Sequence, residues 1–246
     1  MTGSLLDRQR RLVEYMTSAA AIFDDGRERT LVDELPDIAR ALLHVEACFS
    51  HAKRMEKIAG VLSKTFELLG SGREHIVREF AETCPPVSIS RLENARQFRT
   101  FLTSHWLRNP PDPPYLSDVA SCELACAEVD ADDGNDEALS RKHQRDAPQR
   151  GIRRCPSAIL LRCAYDVRPI FEARLEQGMP TNRETPLVVA LPAAANRPQV
   201  FEVPTAVFDL LALLDDWTDP PELDAAPELA KLIADLAKRG LVEMRQ

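Results

Sequence analysis

Apolar residues in the first half of the chain recur at the spacing of helices. The first series, at intervals of three, four or seven residues, is Leu5, Leu12, Met16, Ala19 and Phe23. Because residues at these intervals share one helical face, the series predicts one amphipathic helix near the start of the chain. A second helix is predicted from about residue 31 to residue 51, with these residues facing inward: Ile38, Leu42, Val45 and Phe49.

Local signals mark where the following helices begin and end. Gly70 is expected to end a third helix, since glycine suits the left-handed position after a helix. Ser71–Glu74 and Ser90–Glu93 each place a serine three residues before a glutamate, which is capping-box spacing and predicts two helix starts. The proline-rich run Asn109–Pro114 breaks the chain, and one more helix is predicted over Tyr115–Val129.

A polar stretch separates this helical half from the rest of the chain. Residues 130–151 are mostly charged or polar, which is typical of an exposed linker. We therefore expect a helical domain over residues 1–129, a linker over 130–151 and a second domain over 152–246.

The second half alternates short apolar runs with helical patterns. The predicted strands are 157–165, 186–191, 199–203 and 241–245. Between them, helices are predicted over 167–177, from Thr205 onward, and in a segment that ends at Gly240. This order predicts an α+β chain, with an N-terminal helical bundle followed by a small domain containing a three-stranded antiparallel sheet.

Charge and composition narrow the classes of function. The chain of 246 residues carries 31 Lys and Arg against 39 Asp and Glu, a net charge of −8. This balance argues against a protein that mainly neutralises nucleic-acid phosphates, because that binding depends on clustered basic residues. The six cysteines are too sparse for a disulfide scaffold and are expected to be thiols.

The N-terminal residues and the apolar stretches bear on location. The first residues never form the run of about seven apolar residues found in signal peptides. No stretch approaches the roughly 18 apolar residues of a membrane span. We therefore expect a cytoplasmic protein.

Several segments resemble families that act on ribosomally made peptides. The stretches Leu187–Leu191, Val200–Asp216 and Leu232–Val242 resemble the RiPP recognition element, a small winged-helix domain that holds the leader of a precursor peptide. Pro114–Ala127 and Pro156–Phe171 are similar to partner subunits of multinuclear non-haem iron oxidases, which are TIM-barrel enzymes that modify cysteines in such peptides. The middle helix of the winged-helix trio is shortened here to roughly residues 220–226.

The resemblance implies a non-catalytic partner protein that forms a heterodimer with such an oxidase. The helical domain would dock the oxidase, and the recognition element would bind the precursor peptide and present its cysteine. Relatives in the resembled family serve methanobactins, copper-sequestering thiooxazole peptides and 3-thiaglutamate. The overall length and the extended N-terminal region favour the last, with carbon excision from a C-terminal cysteine. This chain would need no cofactor of its own, since the iron belongs to the oxidase.

In the resembled domain the leader lies between the third strand and the third helix. By analogy the peptide-binding residues here are Gln199, Val200, Phe201, Glu202, Val203, Lys231, Leu232, Asp235 and Lys238. An edge strand can accept an extended peptide as a further strand, while a helix supplies side-chain pockets. The alternative is that these residues simply belong to the core of a small α+β domain, since alternate strand residues must face inward: Val200, Phe201, Leu232 and Ile233.

Two sets of metal-ligating residue types also occur at helical spacing. His44, Cys48 and His51 lie at i, i+4 and i+7 and could ligate zinc or iron, but no fourth ligand is suggested, so packing between helices is preferred. Cys122 and Cys126, at i and i+4, are likewise expected to pack as small apolar residues.

The alternative function is a winged-helix transcription regulator with a helical sensing or dimerisation domain. Its recognition helix should present several basic residues to DNA. The candidate helix carries Lys231, Lys238 and Arg239 but also Glu228 and Asp235, and acidic residues crowd the preceding turn. This composition disfavours binding to DNA.

Overall fold

The computed structural model describes residues 5–23, 37–133, 151–171, 179–192, 195–218 and 227–245. The chain divides into two compact units, Met1–Asp112 and Pro113–Gln246. Among the described helices, none has the length and apolar character needed to cross a bilayer.

The first unit is helical. Its elements are α1 (Leu5–Met16), α2 (Ala19–Phe23), α3 (Asp37–Ala59), α4 (Ser63–Leu68), a 3-10 turn at Gly70–Gly72, α5 (Arg73–Thr83) and α6 (Arg91–Arg108). Aromatic side chains from α4, α5 and α6 form its core. Phe80 and Phe98 are fully buried, with ring centroids 4.9 Å apart in an edge-on arrangement, and Phe66 stacks on Phe98 at 5.3 Å.

The single helix predicted through Phe23 is instead two helices, α1 and α2. The hydroxyl of Thr17 donates to the carbonyl of Val13 at 2.9 Å, and Ser18 Oγ accepts from the N–H of Ala21 at 3.2 Å. Serine and threonine bond to nearby backbone in this way at helix ends, so Ser18 starts a new helix.

The predicted ends of the next helices were partly wrong. α3 continues past His51 to Ala59, because residues 52–59 contain neither glycine nor proline; the expected start near residue 31 lies outside the described residues. Ser71 falls within the 3-10 turn and caps nothing, since α5 begins after Gly72 without a side-chain cap. Gly70 has the expected positive φ of 52°, and Ser90 Oγ accepts from the N–H of Glu93, so both of these predictions are confirmed.

The face of α3 that was expected to turn inward is exposed. Leu42, Val45 and Phe49 are 65%, 62% and 54% exposed; the side chain of Ile38 lies outside what the structure describes. The face that packs on α2 carries instead His44, Ala47 and Cys48. Helical spacing shows which residues share a face, but not which face a neighbouring helix covers.

The second unit combines helices with two antiparallel sheets. Its elements are α7 (Leu116–Asp133), β1 (Gly151–Arg154), β2 (Ile159–Asp166), α8 (Arg168–Phe171), β3 (Thr181–Ala190), β4 (Gln199–Glu202), α9 (Thr205–Leu213), α10 (Pro227–Lys238) and β5 (Val242–Arg245). The expected three-stranded antiparallel sheet is confirmed in the order β2-β3-β4, and β1 pairs with β5 in a separate ladder. The shortened helix expected at 220–226 lies outside the described residues.

Both faces of the three-stranded sheet are covered. Leu160, Val188 and Phe201 are aligned across the strands and pack into a core shared with α9 and α10. Their neighbours Ile159, Val189 and Val200 form the opposite face, which packs against Ala125 and Val129 of α7. The alternation follows the two-residue period of a strand.

The division of the chain differs from the expected boundary after Val129. The structure divides the chain at Asp112, within the proline-rich run, and places α7 in the second unit. The reason is that the apolar face of α7 is buried against the sheet. Of the expected linker at 130–151, residues 134–150 lie outside the described residues, and Asp130–Asp133 complete α7.

Candidate functional site

The strand expected to receive a peptide lies at an edge of its sheet. β4 pairs with β3 on one side, and none of the other described strands joins it in the sheet. The N–H of Val203 donates to the carbonyl of Pro186 at 3.1 Å. Because backbone groups alternate in direction along a strand, Phe201 and Gln199 also face β3. Val200 and Glu202 therefore direct their N–H and C=O groups away from β3, toward the open edge.

The side chains of β4 are divided between core and surface. Gln199 and Glu202 are exposed, whereas Val203 is buried and Val200 and Phe201 are partly buried. Val200 and Phe201 pack on opposite faces of the sheet. The alternative that they are core residues is therefore correct for their side chains, and the backbone edge remains the feature open to a peptide.

Helix α10 turns its predicted site residues mostly to solvent. Lys231, Asp235 and Lys238 are exposed, and Leu232 is partly buried against the same core as Phe201. The carboxylate of Asp235 accepts from Arg239 Nε at 3.1 Å. The structure thus brings Phe201 and Leu232 to one apolar core, while the charged residues of α10 lie on its outer face.

A charged cluster that the sequence did not reveal surrounds Glu202. Its carboxylate pairs with Arg168 and, at 3.0 Å, with Arg183. The same two arginines bind Asp166, at 2.6 Å and 3.1 Å. The hydrogen-bonded guanidinium of Arg168 holds the pKa of the Asp166 carboxyl below its ordinary value. These residues come from β2, α8, β3 and β4, so no local sequence signal could have grouped them.

The other edge of the sheet is partly protected. The backbone N–H of Tyr165 in β2 donates to the carboxylate of Asp118 in α7 at 2.9 Å. This bond occupies a donor that an added strand would need. It distinguishes β2 from β4, where the described residues supply no such bond to the outward groups of Val200 and Glu202.

The residues His44, Cys48 and His51 form contacts between α2 and α3. His44 Nδ1 donates to the carbonyl of Ala21 at 2.7 Å, and the Cys48 thiol donates to the carbonyl of Ile22 at 3.2 Å. The ring of His51 meets Phe23 edge-on, with centroids 5.6 Å apart. The three side chains therefore serve as polar and aromatic packing at a helix seam.

The cysteines of α7 are buried thiols. Cys122 lies beside Cys163 of β2 rather than pairing with Cys126, and the hydrogen bond to Cys163, followed by burial, raises the pKa of Cys122 well above its ordinary range. Burial, together with Glu123, raises the pKa of Cys126 to about 11. Thiols with raised pKa values are poor nucleophiles at neutral pH, so both act as packing residues.

Comparison with known proteins does not assign this chain to a family. No protein-family model matches this chain, and no curated protein sequence is significantly similar to it.

Proposed function

We propose that this chain binds the leader of a ribosomally made precursor peptide by adding it as a further strand to β4. The observation that carries the proposal is the open edge of β4, where Val200 and Glu202 direct their backbone groups away from β3. An extended peptide can pair with these groups while its side chains contact the neighbouring surface. Gln199 and Lys231 are exposed, and in this proposal their side chains contribute to that surface.

The bound peptide would be presented to a partner enzyme. In this proposal the partner is a TIM-barrel iron oxidase that modifies the cysteine of the peptide, most simply by carbon excision as in 3-thiaglutamate formation. This chain would perform no bond chemistry. Its contribution would be to raise the effective concentration of the cysteine at the iron centre by tethering the leader.

The exposed apolar face of α3 supports docking of that partner on the helical unit. Leu42, Val45 and Phe49 lie at i, i+3 and i+7 and are more than half exposed. Contiguous exposed apolar residues rimmed by polar ones mark protein interaction sites. We refer to these three residues as the α3 stripe.

Substitution of Val200 tests the strand-addition step. The proposal predicts that genes for a short cysteine-bearing precursor and an oxidase lie beside the gene for this chain, and that precursor is the labelled peptide for fluorescence anisotropy. Val200→Pro removes an outward N–H without removing a bond to β3, so affinity should fall about tenfold or more.

Val200→Ile is the matched control, because it keeps the outward N–H and the apolar side chain. It should retain the affinity of the native chain, and circular dichroism should show that both variants fold. Equal affinities for the proline and isoleucine variants would contradict strand addition at β4.

A further inference from the structure

The helical unit contains a cavity whose lining is basic and apolar. Its volume is about 260 Å³, and α3 supplies its basic residues, which are His51, Lys53, Arg54 and Lys57. Met16, Ile22 and Ile89 are among its apolar residues, and the described lining includes no aspartate or glutamate. A concentration of positive charge in a chain with a net charge of −8 points to an anionic ligand.

Arg54 gives the strongest indication of this preference. The residue is only 9% exposed, and its guanidinium donates to Asn94 Oδ1 at 3.0 Å, to the carbonyl of Cys84 at 2.9 Å and to Gln97 Oε1 at 2.6 Å. All three acceptors are neutral, the guanidinium also lies 4.4 Å from the centre of the Phe80 ring, and no carboxylate among the described residues forms an ion pair with Arg54. A buried cation without a counter-ion is costly, and a bound anion would offset that cost.

The two lysines lie nearer the surface and are also without carboxylate partners among the described residues. Lys57 Nζ donates to the carbonyl of Ile89 at 2.8 Å, and Lys53 Nζ lies 4.2 Å from the ring centre of Phe49. The carbonyl of Ile89 and the ring of Phe49 are both neutral groups. The positive charges of the two lysines therefore remain available to a ligand. Together with Arg54 they place three permanent cations around one cavity.

His51 is a reporter of any charge that enters the cavity. Burial, followed by the charge of Arg54, lowers its pKa below the ordinary value. Its ring contacts the ring of Phe23. The guanidinium of Arg78 lies over the same Phe23 ring, 5.0 Å from its centre. Arg78 is itself paired with Glu82 at 3.5 Å, so Arg54 is the described charge that acts on the His51 ring, and a bound anion would raise the pKa of His51.

We propose that this cavity binds a small organic carboxylate with a short apolar group. The carboxylate would interact with the cations of α3, and the apolar group would contact Met16, Ile22 and Ile89. The volume lies just below the range of about 300–1,000 Å³ of typical ligand pockets, which limits the ligand to a small molecule. This inference is independent of peptide binding at β4.

The test uses hexanoate, hexanol and inorganic phosphate as probes of the full chain. In NMR titrations of the histidine rings, saturating hexanoate should raise the pKa of His51 by about half a pH unit or more, whereas hexanol should not. Equal binding of hexanoate and hexanol, or no binding of hexanoate, would overturn the proposal. Tighter binding of phosphate than of hexanoate would also overturn it, by assigning the cavity to inorganic anions.

Variants of the lysines separate a specific site from general charge attraction. The double variant Lys53→Gln, Lys57→Gln should weaken hexanoate binding about fivefold or more, and glutamine keeps a donor for the carbonyl of Ile89. Lys64→Gln is the matched control, because Lys64 pairs with Glu67 and does not line the cavity. Equal effects of the double variant and the control would contradict the site.

Discussion

Asp166 links the end of β2 to the charged cluster beside the proposed peptide edge. It accepts hydrogen bonds from Arg168 and Arg183, and both arginines also bind Glu202 on β4. Its side chain is 13% exposed, so these bonds are shielded from solvent more than a typical surface pair. The cluster therefore fixes one end of β4 through charge as well as through the strand ladder.

We expect the Asp166→Asn variant to lower the free energy of unfolding by about 1–2 kcal/mol at pH 7. The pKa of Asp166 is depressed in the folded state, so its stabilising effect is present above its ordinary pKa and is lost as the pH falls below about 4. Urea unfolding from pH 7 to pH 3 should therefore show a shallower loss of stability in the variant.

Asp209→Asn is the corresponding control. Asp209 pairs with Arg162, and both side chains are about half exposed, so the change should stay within about 0.5 kcal/mol. If Asp209→Asn lowered the free energy of unfolding as much as Asp166→Asn, membership of the charged cluster would not explain the effect.

Residue-level signals in the sequence succeeded where the interaction is local. Ser90 and Gly70 could be assigned because a cap depends on residues within four positions. The contact between Cys122 and Cys163 joins residues that are distant in sequence. The same is true of the link between Asp166 and Glu202, which Arg168 and Arg183 bridge. No spacing rule reports such contacts.

At the scale of elements, the strands of the three-stranded sheet were predictable, whereas β1 and the buried face of α3 were not. The apolar parts of these strands lie where they were expected, because both sides of the sheet are buried and this produces apolar runs. β3 begins earlier than expected, at Thr181, because its first residues are polar and exposed and carry no apolar signal. The α3 stripe was expected inside, since its spacing is that of a buried face. In the structure α2 covers the adjacent face of α3 instead. Which of the two faces is buried depends on tertiary packing and cannot be read from the spacing.

The turn after α10 depends on a glycine. Gly240 has a φ of 71°, and a Cβ at this position would lie 2.9 Å from the carbonyl oxygen of Leu191. Gly240→Ala should therefore lower the free energy of unfolding by about 2 kcal/mol or more, because conformational strain and a steric clash add. Urea unfolding measures the difference.

Gly70 provides a control with positive φ and no clash. Its φ is 52°, and apart from its chain neighbours no described residue has an atom within 4 Å of an added Cβ, so Gly70→Ala should cost only about 1 kcal/mol. An equal cost at both positions would show that the contact with Leu191 contributes nothing.

At the scale of the whole molecule, the sequence separated a helical half from an α+β half but placed their border too late. The change in polarity after Val129 marks the end of α7, whereas the units divide at the proline-rich run. The sequence showed both signals. The packing of α7 against the sheet decides that the border is the proline-rich run and not the change in polarity after Val129. This packing depends on contacts between distant residues, which a change in composition does not reveal.

The proposed function predicts that peptide binding and partner docking can be disrupted separately. In reconstitution, the oxidase alone should leave the precursor unmodified, and addition of this chain should restore modification, as followed by mass spectrometry. Val45→Glu in the α3 stripe should weaken the complex with the oxidase while the affinity for the precursor is unchanged. Val200→Pro should lower the affinity for the precursor while the complex with the oxidase is unchanged.

Full activity of the oxidase without this chain would contradict the role of partner protein. A salt-sensitive gel shift with upstream DNA would instead favour the transcription regulator. The exposed face of α10 carries both signs of charge, with Asp235 beside Arg239, and so gives DNA little attraction.

The most direct test of strand addition is amide hydrogen exchange along β4. When the precursor peptide is added at saturating concentration, the amides of Val200 and Glu202 should become protected, since they point to the open edge. The amides of Gln199 and Phe201 already face β3 and should change little. Unchanged exchange at Val200 and Glu202 with the peptide bound would contradict the account.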